Sequence, residues 1–105
     1  MNKRVKKMWI KALRSDEFKQ GRDQLKNGRG KSATYCCLGV LCEVAKREGV
    51  IRSYRGSSGF LPFKVMWWAG LTQMDPVMGR TSAVKLNDTL RKTLSQIADR
   101  IEKHL

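Results

Sequence analysis

The chain has 105 residues, with 22 Lys/Arg against 9 Asp/Glu and a formal net charge of +13. That length suits one domain with one modest core and leaves no room for two. A hydrophobic share of 41% excludes a disordered tail. No window approaches the roughly 18 uninterrupted apolar residues of a membrane span, and the N-terminal apolar positions are too dispersed for a signal peptide.

The charge is uneven: residues 1–31 hold 11 Lys/Arg and 3 Asp/Glu. A field of this sign attracts nucleic acid, anionic lipid or acidic protein surfaces. The plainer use of net charge is solubility, which seldom needs so one-sided a balance in so short a chain.

The first element is an amphipathic helix. Val5, Met8, Trp9, Ala12 and Leu13 recur at helical spacing and form one apolar stripe. Lys3, Arg4, Lys7, Lys11 and Arg14 fall in an arc on the other side, and Ser15-Asp16 ends the helix. Residues 19–31 are broken by Gly21, Gly28 and Gly30, and Asn27-Gly28 is a turn signal. This segment reads as a basic flexible loop anchored by Phe18 and Leu25, offering Arg22, Lys26, Arg29 and Lys31 to an anion.

Cys37, Leu38, Leu41, Val44 and Ala45 then repeat at helical spacing as a central core helix. Ser32 or Thr34 can cap its start. Gly49 sits where a left-handed residue stops a helix, with Val50 and Ile51 placed to pack back on it. Gly39 costs helix propensity, which a close approach by a neighbouring element would explain. After a basic, aromatic loop at 52–60, Pro62 and Gly70 bracket a short helix. Adjacent Trp67 and Trp68 point about 100° apart on it, so both cannot be equally buried; one can enter the core and the other can stack on a base or anchor an interface.

Residues 72–82, with Asp75-Pro76 and Gly79, read as a loop. In the tail, Leu86, Leu90, Leu94, Ile97, Ala98 and Ile101 fit one helical face. Thr93-x-x-Gln96 is a capping-box pattern that starts a separate last helix; one longer helix from Asp88 fits the spacing nearly as well. The expected fold is mainly α: a compact single domain, residues 1–105, of about four helices, two of them short, with the basic Gly-containing loop. A small β-hairpin can form from Val50–Tyr54 and Ser82–Leu86.

Catalytic chemistry finds little support. Gly30-Lys31-Ser32 lacks the earlier glycine of a phosphate-binding loop, because Leu25 occupies its position, and no strand precedes it. Cys36, Cys37 and Cys42 cannot converge on one metal from a regular helix, and His104 lies near the end of the chain. A cysteine nucleophile would lack a base at any defined spacing. Three cysteines, two adjacent, form a poor disulfide framework and read as buried small hydrophobes. Asp99 and Glu102 read as surface pairing groups and Asp88 as a cap or turn residue. No enzyme activity, metal or cofactor is expected.

Four segments carry a resemblance. They are Trp9-x-x-Ala12-Leu13-Arg14-Ser15; Tyr35-Cys36-Cys37-Leu38-Gly39-Val40-Leu41-Cys42; Leu61-Pro62 with Trp68-x-Gly70-Leu71; and Leu86-Asn87-Asp88 with Ile97-Ala98-Asp99-x-Ile101-Glu102. Over nearly its whole length the chain resembles a group of small tailed-bacteriophage proteins of unassigned function, most specifically in the YCCLGVLC run. In that group the tail helix follows a Gly-containing turn, which Thr89–Lys92 replaces here. The resemblance implies a phage or prophage origin and the cytoplasm of an infected bacterium, and it brings no activity with it. Small accessory phage proteins commonly act on host machinery or defences.

The leading expectation is therefore a non-enzymatic protein that binds DNA or RNA through phosphates with little sequence specificity. The alternative is an inhibitor of a host factor or defence system, acting by contact with an acidic protein surface or by sequestering a phosphorylated nucleotide at Gly28–Lys31. Membrane association through the basic first helix is weaker, since its apolar face is more simply used as core.

Overall fold

The computed structural model describes all residues 1–105. In chain order it contains α1 (Lys3–Arg14), β1 (Lys26–Asn27), β2 (Thr34–Tyr35), α2 (Cys37–Arg47), α3 (Phe63–Trp68), β3 (Val77–Met78), β4 (Thr81–Ser82), a π-helical turn (Lys85–Thr89) and α4 (Leu94–His104). The fold is mainly α with two small antiparallel hairpins, β1–β2 and β3–β4. One cluster of 26 buried apolar residues forms the core. No helix is long and apolar enough to cross a membrane.

α1 buries the stripe its spacing predicts: Val5, Trp9, Ala12 and Leu13 face inward against α2 and α4. The Asn2 side chain caps its start by accepting from Val5 N–H. The Trp9 indole N–H donates to Cys37 O at 2.9 Å, so the largest buried residue of α1 keeps its polar atom satisfied while fixing α1 to the start of α2.

α2 begins differently from expectation. Its N-cap is Cys36, whose sulfur accepts from Gly39 N–H at 3.4 Å; neither Ser32 nor Thr34 caps it. It ends as expected. Gly49 adopts φ +75°, its N–H donates to Lys46 O, and Val50 N–H donates to Ala45 O at 2.9 Å, the paired bonds of a Schellman stop. At Gly39, an added Cβ would lie 1.9 Å from Leu25 O. The backbone at Leu25 thus rests directly on α2, and only glycine admits it.

That approach organises residues 19–35, which form a hydrogen-bonded hairpin within the basic Gly-containing segment. Phe18 and Leu25 are buried anchors. β1 pairs with β2, Lys26 opposite Tyr35 and Asn27 opposite Thr34, with a parallel bridge from Gln20 to Tyr35 on the other side. Gly28 and Gly30 take positive φ in the connecting turn, where a side chain would be strained. The hairpins therefore lie elsewhere than the Val50–Tyr54 and Ser82–Leu86 pairing considered from sequence. Ser82 does pair, but with Val77, across a two-residue turn led by Gly79 at φ +78°.

The tail resolves into a separate last helix. Thr93 and Gln96 make both bonds of a capping box. Before it, Leu90 N–H donates to Lys85 O and Arg91 takes φ +52°, so the helical phase is broken. Leu90, which fitted the periodicity, consequently faces solvent, while Leu86, Leu94, Ile97, Ala98 and Ile101 are buried.

Candidate functional site

The cations singled out by sequence fall on two surfaces. The first is the outer side of α1. Lys3, Lys7 and Lys11 are exposed and stand one turn apart, so successive lysines are separated by about 6 Å along the axis. None of them lies within ion-pair distance of a carboxylate, because the five ion pairs of the protein involve other residues. Arg4 and Arg14, expected to extend this row, are instead held at its edges. Arg4 donates to Glu48, the C-cap of α2, at 2.6 Å. Arg14 donates to Asp99 at 2.7 Å and Glu102 at 3.1 Å on α4. Those two carboxylates, through their hydrogen bonds, hold the Arg14 guanidinium more firmly protonated than usual. A third pair, Arg47 with Glu17, lies nearby and holds the Glu17 carboxyl below its usual range. The α1 face is therefore a row of three free lysines framed by carboxylates that neutralise its margins.

The second surface is built on the β1–β2 hairpin. Residues 55–58 run alongside it: Leu25 N–H donates to Ser58 O at 2.7 Å and Lys26 N–H to Gly56 O at 3.0 Å. This docking sets the segment that holds Arg52 and Arg55 against β1. Segments 22–35 and 52–58 together hold six cations and a single carboxylate, Asp23, and none of the six joins an ion pair. Arg29 and Lys31 are exposed at the turn, with Ser32 Oγ donating to Arg29 O. Lys26 is half-buried with its ammonium 5.7 Å from the centre of the Tyr35 ring, a cation–π contact that leaves the charge in place. The Arg22 Nε is buried without a hydrogen-bond partner. Glu43 marks the edge of this region, where Tyr54 donates to it at 2.7 Å; burial and that bond push the Tyr54 phenol upward.

Beneath the hairpin, Asn87 is fully buried and uses its whole side chain. Its Oδ1 accepts from Gln20 Nε2 at 2.8 Å and Cys37 N–H at 3.1 Å, while its Nδ2 donates to Gly21 O at 2.9 Å and Asp88 at 2.7 Å. It ties the start of the hairpin to the start of α2. Arg52, Arg55 and Asn87 are the residues that sequence reasoning passed over. The basic character of 52–60 was legible, but its docking on Leu25 and Lys26 is a long-range event without a local signal.

The cysteines are buried and free. Burial raises the Cys36 thiol to about 11 and moves Cys37 and Cys42 upward as well, so thiolate is scarce at neutral pH. No three His, Cys, Asp or Glu side chains gather in a way that could hold a metal ion. Trp67 is 68% exposed, and Trp68 is half-buried against the core.

Residues 1–105 match the family described as a domain of unknown function, DUF8296. The chain belongs to that family. No curated protein and no solved structure matches it. Membership spans the whole domain, so both cationic surfaces and the Asn87 tie lie within the family's bounds.

Proposed function

We propose that this protein is a non-enzymatic nucleic-acid-binding accessory protein, which engages phosphates through the hairpin cluster and the free lysine row of α1. The observation that carries this reading is that the two hydrogen-bonded segments 22–35 and 52–58 hold Arg22, Lys26, Arg29, Lys31, Arg52 and Arg55 with one carboxylate, Asp23, and that none of the six joins an ion pair. Folding a chain of net charge +13 so that like charges converge costs self-repulsion; a polyanion removes that cost. Phosphate contact of this kind positions a protein on nucleic acid without reading bases, and no base-reading helix or strand motif accompanies it. The resemblance to small tailed-phage proteins supports a setting in the cytoplasm of an infected bacterium.

Fluorescence anisotropy with labelled duplex DNA, single-stranded DNA and RNA tests the reading. With about six cations on phosphates, log affinity falls against log salt with a slope near −5. Binding that is absent at physiological salt, or indifferent to salt, contradicts it.

A further inference from the structure

Five of the six large apolar side chains left exposed by the fold lie between residues 60 and 77: Phe60, Phe63, Trp67, Met74 and Val77. Phe63 and Trp67 stand one turn apart on α3, 61% and 68% exposed, with ring centres 5.8 Å apart. Beside them Met66, Gly70 and Leu71 line an open groove. Trp68 and Val65 already fasten α3 to the core, so Phe63 and Trp67 are not needed to hold the helix in place. Apolar surface concentrated in this way marks an interaction site, and tryptophan and phenylalanine are the residue types that anchor protein interfaces.

The charge around the patch selects its occupant. Between Phe60 and Val77 the charged residues are Lys64, which is exposed, and Asp75, whose carboxylate already accepts from Val84 N–H at 2.8 Å. Asn2 N–H donates to Ala69 O at 2.9 Å, which sets exposed Lys3 near the C-terminal end of α3. A second copy of this chain would bring a further charge of +13 and the same cationic rim against the patch, which opposes self-association. An acidic partner meets both the apolar groove and the rim.

We propose that the α3 face is a docking site for an amphipathic helix of a partner protein, with its apolar side in the Phe63–Trp67 groove and an acidic polar side toward Lys64 and Lys3. The site is separate from the hairpin cluster and shares only Lys3 with the lysine row of α1.

The test is an amide chemical-shift titration of the labelled protein with a synthetic helix of about 18 residues, Leu and Phe at i, i+3, i+4 and i+7 and Glu elsewhere. The expected result is saturable shifts across Phe63–Thr72, no binding by the same peptide with Lys for Glu or with its apolar positions scrambled, and at least tenfold weaker affinity for Trp67→Ala. Trp67 is mostly exposed, so this variant keeps its fold, and unchanged amide shifts outside Phe63–Thr72 confirm that. The proposal is overturned if the acidic peptide leaves α3 unshifted or if the lysine peptide binds equally well. It is also overturned if oligothymidylate or vesicles of anionic phospholipid, and not the peptide, perturb Phe63–Thr72, or if sedimentation shows self-association lost in Trp67→Ala.

Discussion

The α1 face and the β1–β2 hairpin carry similar numbers of cations, yet folding treats them in opposite ways. Packing sets α2 and α4 beside α1, and each brings carboxylates to its edge: Glu48 to Arg4, Asp99 and Glu102 to Arg14. The hairpin instead receives segment 52–58, which adds Arg52 and Arg55 and no acid. Counting charges along the chain makes α1 the stronger site. The ion pairs reverse that order, because a cation already paired gives up part of its attraction for a phosphate.

The largest expected effect comes from breaking the support of the hairpin. In Gly39→Ala the new Cβ must displace the backbone at Leu25, which no rotamer change can relieve. We expect a loss of about 3 kcal/mol in denaturant unfolding, and faster amide exchange in 19–35 than in α1. Asn87→Ala should act in the same direction at about 2 kcal/mol, since it leaves Cys37 N–H and Gly21 O without their partner and removes one of the two acceptors of the Gln20 amide. Either variant that retained full stability would show that the hairpin is not pinned by these contacts.

A smaller effect sharpens the comparison from the other side. Asp99→Asn with Glu102→Gln frees Arg14, which donates to both carboxylates. The pairs are exposed, so stability should change by at most about 1 kcal/mol. Nucleic-acid affinity should rise, and the salt slope should steepen by about 0.9 for the one cation released. An unchanged slope would mean that the released Arg14 does not touch phosphate.

What the sequence made legible was local. The apolar stripe of α1, the Gly49 stop and the Thr93–Gln96 box each depend on residues a few positions apart, and each stands in the structure as read. The hairpin was illegible because its strands are two residues long, too short for an alternating pattern, and because Gly21, Gly28 and Gly30 signal breaks without saying what they join. Gly39 pointed to a close neighbour but not to Leu25. Leu90 matched the helical period only until the π-turn and Arg91 shifted the phase. The row read from sequence, Lys3, Arg4, Lys7, Lys11 and Arg14, lies on the exposed side of α1, with only its three lysines unpaired. The neutralising of Arg4 and Arg14 rests on partners 44 and 85 residues away, which no periodicity reports.

The central claim is that unpaired cations, and above all those of the hairpin, hold the polyanion. The most direct measurement compares the salt dependence of duplex-DNA binding for two variants. Replacing Arg29, Lys31 and Arg55 together by Gln should make the slope shallower by about 2.7, whereas replacing Arg4 and Arg14 by Gln should change it by less than about 1. Equal changes in the two variants, or a larger change from Arg4 and Arg14, would contradict the account.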